Sequence, residues 1–175
     1  MTDKKIRWIA ETAMLTALLL VLQFVTKPLG QLVTGSCVNA VLAVSAIAAG
    51  PWSGLAVAII SPLFAFILGI GPQLFPLTPA IAAGNCTLVL LLCALYKDGS
   101  LIHRGIAWLC SSAAKFAVLY LLVVQVLCKV LELKEKQIAT FTAMFSWPQL
   151  ITALIGCGLA LVILPRIKTA RNAKK

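Results

Sequence analysis

A single lysine, Lys115, stands inside the apolar run GIAWLCSSAAKFAVLYLLVVQVL, with no acidic residue in the same segment. A lysine at a bilayer centre costs about 2.5–3.5 kcal/mol on insertion scales, so a chain that keeps one there is expected to use it. The chemistry open to it is that of a fixed cation: three N–H donors, no acceptor, and a charge suited to a carboxylate or phosphate. Trp108, Ser111, Ser112 and Lys115 follow i, i+3, i+4, i+7 spacing and share one helix face. Lys115 follows Arg104 by eleven residues, or about 17 Å at 1.5 Å per residue. In a hydrocarbon core of roughly 30 Å that is near the midplane. The competing reading is a lysine paired with a helix-end carbonyl, or one that snorkels to the interface, which is hard from that depth.

Other polar residues interrupt apolar runs at similar depth. Asn85 is a solute-orienting amide or an interhelical hydrogen bond, with Thr78 two turns away on its face. Ser36 and Asn39 lie towards one end of the second apolar segment, and Gln23 towards the end of the first. Gln149, Thr152 and Gly156 share a face of the last, with Trp147 nearby. Together these could line a cavity opening outward. Taken singly, each also reads as a packing contact, and Trp147 as an interfacial anchor. Glu11 reads as the i, i+4 ion-pair partner of Arg7, and His103 as a solvated loop histidine.

The elements that must position these groups follow from composition. The chain has 175 residues, 61% hydrophobic and 11% charged, against roughly 45–50% and 25% in soluble domains. An all-α integral membrane protein is expected, one transmembrane domain over residues 1–175. Six spans fall at about 6–25, 36–49, 55–70, 77–96, 105–131 and 145–164. The second is short and starts earlier if it begins near Leu32. Lys27-Pro28-Leu29-Gly30, Gly50-Pro51 and the Pro72/Pro76 stretch break the runs, and Ser61-Pro62 is an expected kink. Glu132–Gln137 reads as a mixed-charge loop with a short amphipathic piece through Met144. Six spans put Lys4, Lys5, Arg7, Lys97, Arg104, Arg166, Lys168, Arg171, Lys174 and Lys175 on one side. Lys27, Lys129, Lys134 and Lys136 fall opposite. The positive-inside rule makes the first side, with both termini, cytoplasmic. A four-span arrangement with Ser36–Ile70 re-entrant gives the same sidedness.

The net charge of +10 is explained by topology rather than nucleic-acid binding. The first apolar run is about 20 residues, longer than a signal h-region of about 7–15, and reads as a retained span. Six cysteines form no CxxC pair, so neither a disulfide framework nor a metal site is expected. Walker A, GxSxG, HExxH and paired-carboxylate patterns are missing. No catalytic residue and no cofactor is expected, and any energy for transport comes from a partner or a gradient. Small residues recur at i, i+4: Ala13 with Ala17, extended by Ala10, then Gly50 with Gly54 and Ala80 with Gly84. Each lets another helix approach closely.

The segment ETAMLTALLLVL with Ala13 and Ala17, the stretch VNAVLAVSAIAAGPWSGLAVAIISPLFAFILG, the short length and the basic ends resemble one family across the whole chain. It is the substrate-binding S components of energy-coupling factor (ECF) transporters, which take up vitamins in prokaryotes. The resemblance implies a multi-pass protein of the prokaryotic cell membrane. Its outward pocket would be capped here by the loops around Lys27–Gly35, Gly71–Leu77 and Glu132–Met144. It further implies docking through Ala13 and Ala17 on a membrane T component with two cytoplasmic ATPase subunits, and toppling to release the solute inside. Lys115, Asn85, Ser111, Ser112, Trp108, Asn39, Gln149, Thr152, Trp147 and Gln23 are candidates from the residues alone. Pantothenate, lipoate or a nicotinate-like acid would suit a buried lysine, hydroxyls and apolar walls. The alternative function is a stand-alone secondary transporter or channel for a small solute. A membrane enzyme or assembly factor fits least.

Overall fold

The structure is a computed structural model that describes residues 2–172. Lys174 and Lys175 of the basic tail lie outside the described residues, as do the side chains of Lys4, Lys168 and Arg171. All regular structure among the described residues is helical. Helix α1 is Thr2–Thr26; α2 is Gln31–Val44, prolonged by a π-helical turn, Ser45–Ala49; α3 is Pro51–Ile67; α4 is Leu77–Leu95. Helix α5, Leu101–Leu119, runs on through π-helical Tyr120–Leu127 and Cys128–Val130; α6 is Glu135–Phe145 and α7 is Trp147–Asn172. Five stretches are long and apolar enough to cross a membrane: Lys5–Leu29, Gln31–Ala49, Leu77–Leu95, Leu101–Val130 and Glu135–Ile167. Pro51–Ile67 is apolar but shorter, at 17 residues.

Several boundaries differ from the sequence expectation, for local reasons. Helix α2 begins at Gln31 because Gly30, at φ +85°, turns the chain in one residue. Gly50, at φ +95°, does the same before Pro51, which occupies the first helical position. The gap expected between the second and third spans, 36–49 and 55–70, is therefore a single-residue break. Helix α5 starts at Leu101 rather than Gly105, since the Ser100 hydroxyl accepts from the His103 N–H at 3.3 Å and caps it. His103 thus sits in a helical first turn rather than in a loop. The mixed-charge loop shortens to four residues, because Gln137 Oε1 accepts from the Lys134 N–H at 3.1 Å and starts α6. Helix α7 continues through Pro165 rather than ending before it.

Without water between them, membrane helices associate by close packing and interhelical hydrogen bonds. Helix α2 packs most extensively on α7, and α4 lies between α3 and α5. Gly156 permits the α2–α7 approach: a Cβ there would stand 2.5 Å from both the Ser36 carbonyl oxygen and Asn39 Cβ. Gly54 lies against Ala46 and Val89, and Gly84 against Leu119, so these glycines are used inside the bundle. Ala10, Ala13 and Ala17 instead face outward on α1. The Thr12 and Ser53 hydroxyls pair at 2.7 Å between α1 and α3, and Thr34 Oγ1 donates to the Thr26 carbonyl at 2.9 Å between α2 and α1. Arg7 and Glu11 form the expected ion pair at 2.9 Å.

Candidate functional site

A cavity of about 260 Å³ lies among α1, α2, α3, α4 and α5, bordered also by the end of α6 and by Gln149 of α7. Ligand sites commonly occupy about 300–1,000 Å³, so its occupant is small. Helix α2 contributes Gln31, Thr34, Gly35, Val38 and Asn39 to the wall. These positions repeat at i, i+3, i+4, i+7 and i+8, one continuous helix stripe about 12 Å long. At its outer end, the mouth, the cavity meets Lys27, Gly30, Gly71 and Pro72 from the connections after α1 and α3. At its inner end, the floor, stand Asn39, Asn85 and Lys115.

Lys115 is only 3% exposed, at mid-length of the thirty-residue helix Leu101–Val130. Its Nζ donates to Asn39 Oδ1 at 2.5 Å and to Asn85 Oδ1 at 2.7 Å. Both acceptors are neutral amides, and among the described residues no carboxylate hydrogen-bonds to the ammonium. Two donors are therefore satisfied, the charge is not neutralised, and a third N–H remains on a residue of the cavity wall.

The two amides are held from behind. Asn39 Nδ2 donates to Thr152 Oγ1 at 3.4 Å, and Asn85 Nδ2 to the Ala58 carbonyl at 3.4 Å. The Ala58 carbonyl is free to accept because the residue four further on is Pro62, inside α3, which has no N–H to return. A helix-breaking residue thus supplies the backbone acceptor that orients a polar side chain on the next helix, a common resolution in lipid. The sequence expectation of a kink at Ser61-Pro62 carried no hint of this second role.

Of the ten residues proposed from sequence to bind the solute, Lys115, Asn85, Asn39, Gln149 and Gln23 lie on the cavity, as does Thr78 on the Asn85 face. The Gln149 amide is engaged: its Nε2 donates to the Met144 carbonyl at 3.2 Å, as does Gln31 Nε2 at 2.7 Å. These two side chains satisfy an otherwise orphaned carbonyl at the end of α6 and tie that helix across the mouth. The other five do not reach the cavity. Ser111 turns back to the Ala107 carbonyl at 2.5 Å, and Ser112 is fully buried towards Cys157. Trp108 Nε1 donates to the Leu154 carbonyl at 2.8 Å and joins α5 to α7. Thr152 supports Asn39 from behind. Trp147 is 69% exposed and stacks on Phe116 at 5.9 Å. The helical face shared with Lys115 is thus mostly an α5–α7 packing face, and only the long lysine extends beyond it. Of the other wall residues, Ser61 was not foreseen, while Lys27, Gln31 and Thr34 were foreseen only as part of a capping loop. The i, i+3 relation of Gln31 to Thr34 was the available signal.

A bundle of apolar helices around a small cavity, with one buried cation at its floor, defines a solute-binding membrane protein. The chain matches the family model described as ECF transporter, substrate-specific component, over residues 7–168. It belongs to that family: a multi-pass, substrate-binding component of a transporter, and not an enzyme family. No curated protein and no solved structure compared with the chain matches it.

Proposed function

We propose that this chain captures a small anionic vitamin or vitamin precursor outside a prokaryotic cell. It delivers the solute inward with a membrane T component and two cytoplasmic ATPase subunits. In this reading the chain has six spans, Pro51–Ile67 being the shortest, and both termini are cytoplasmic. The cavity mouth, at the ends of α1 and α3, then opens outward, in keeping with the basic residues gathered at the opposite ends of the helices. The observation that carries the reading is the Lys115 ammonium on the cavity wall, solvated by two amide oxygens yet not neutralised by them. Burying a charge without a counter-charge is costly. An anionic ligand entering the cavity supplies that counter-charge and accepts the remaining N–H. The outward Ala10–Ala13–Ala17 face of α1 supports the partner half of the reading. It is a close-approach surface left unused by the bundle, while Gly54, Gly84 and Gly156 are filled by neighbours inside it.

Native mass spectrometry of the gently purified chain is the direct test: a co-purifying small acid is expected, and its loss from Lys115→Met. Unchanged acid binding by Lys115→Met removes the lysine from the site. Co-purification with a T component and two ATPases is expected, and gradient-driven uptake by the chain alone would overturn the partnership.

A further inference from the structure

The cavity carries a second cation at its opposite end. Lys27, in the turn after α1, lines the mouth. Its Nζ reaches across to the end of α3, where a Cβ on Gly69 would stand 4.0 Å from it. Unlike Lys115 it is exposed, and no carboxylate pairs with it among the described residues. The cavity wall holds amides, hydroxyls and apolar groups beside the two lysines, but neither aspartate nor glutamate. Glu132 and Glu135, before and at the start of α6, are outnumbered on their own stretch by Lys129, Lys134 and Lys136.

The two ammonium groups are too far apart to share one small anion. Lys115 Nζ is held at Asn85, whose own amide meets α3 at Ala58. Lys27 Nζ stands beside Gly69, past the end of that helix. From Ala58 to Ile67 is about 14 Å of helix, longer than the screening length of about 8 Å at physiological ionic strength. Exposed Lys27 therefore adds little to the hold on an anion already at the floor, and acts on one still entering. A cleft lined by charge of one sign, with low-dielectric walls, concentrates counter-ions and speeds their entry about 10–10³-fold. Rim charges change association rate and salt dependence more than affinity.

We propose that Lys27 is the entry residue of the cavity: it draws anions to the mouth, turns cations away and sets the rate of capture, while Lys115 sets how tightly the anion is held. This rests on the anion reading above and gives a second residue a kinetic role in it. In the competing role Lys27 is an interfacial anchor and has no influence on what enters.

Two thiol reagents with the same reactive group and opposite charge test this on the full chain, in neutral detergent at about 0.01 M salt. They are 2-sulfonatoethyl and 2-(trimethylammonio)ethyl methanethiosulfonate; each forms a mixed disulfide with a cysteine and releases methanesulfinate. No native cysteine lines the cavity. The reporter is therefore Cys37→Ala/Val38→Cys, position 38 lying on the wall beyond Lys27, with modification read at that site by mass spectrometry. With rates normalised to a free thiol in solution, the anionic reagent is expected to react about tenfold or more faster. Lys27→Gln lowers that preference about three- to tenfold, Lys27→Arg keeps it within about twofold, and ~1 M salt abolishes the effect of Lys27→Gln. A preference unchanged by Lys27→Gln but lowered by Lys115→Met overturns this inference and leaves the anion reading standing. Lys27→Arg behaving like Lys27→Gln, or a loss that persists at high salt, shows an effect of shape and overturns it too. So does a failure of both reagents to reach position 38, which would close this route of entry. No preference for the anionic reagent with both lysines in place overturns the anion reading as well.

Discussion

Methionine at position 115 matches the length of the lysine stem and removes the charge, leaving the Asn39 and Asn85 oxygens facing an apolar group. Truncating one member of a buried charged contact costs about 2–5 kcal/mol of binding. Lys115→Met is therefore expected to lose about thirtyfold or more in affinity for the anionic ligand, as read by titration. Its thermal unfolding in detergent should stay close to that of the unaltered chain, because removing a buried charge relieves desolvation. A melting temperature that collapses would make the lysine a structural strut. Lys115, Asn39, Asn85 and Gln23 were legible in sequence because each is a strongly polar residue in an apolar run. The serines on the lysine's face misled for a physical reason. Short hydroxyls in helices bond back to the preceding turn, as Ser111 does, and so carry no directional information about a cavity. Ser61 was hidden beside the more conspicuous Pro62. Thr34 and Gln31 were hidden because residues 27–35 looked like a loop until Gly30 confined the turn to one residue.

At the scale of elements, Pro62 links backbone chemistry to the site. Replacing it with alanine restores an N–H that competes for the Ala58 carbonyl, drawing that oxygen back into the α3 ladder. Asn85 then loses its acceptor and with it the fixed orientation of its amide. Pro62→Ala is expected to keep or raise thermal stability while weakening anionic-ligand binding about three- to tenfold, roughly one hydrogen bond's worth. Equal affinity in titration would show that Asn85 needs no backbone anchor. That the chain is built of apolar helices could be read from composition; five stretches reach membrane-crossing length, and Pro51–Ile67, expected as the third span, is shorter. The exact helix ends could not, because they depend on single-residue events: two glycines at positive φ, a serine cap and a glutamine reaching back to Lys134. The π-helical stretches Ser45–Ala49 and Tyr120–Leu127 had no sequence signal, and nothing in the structure explains their position.

Across the whole molecule, the outward alanines of α1 are separate from the cavity, so ligand capture and partner docking should be separable by mutation. Ala13→Trp or Ala17→Trp is expected to abolish uptake by the proposed assembled transporter while ligand affinity of the isolated chain stays within about twofold, since neither residue packs inside the bundle. Loss of both activities would mean that the alanines support the fold. The depth of Lys115 has an electrical consequence. In the proposed orientation, an anion that reaches it has travelled part of the way through the transmembrane field. A unit charge crossing fully exchanges about 2.3 kcal/mol per 100 mV. A half crossing exchanges up to about 1.2 kcal/mol, or roughly sevenfold in affinity. Capture should therefore be electrogenic. In proteoliposomes clamped with a potassium gradient and valinomycin, an interior-negative voltage should weaken capture by up to that factor. A voltage-blind affinity would mean that the captured charge halts near the headgroups.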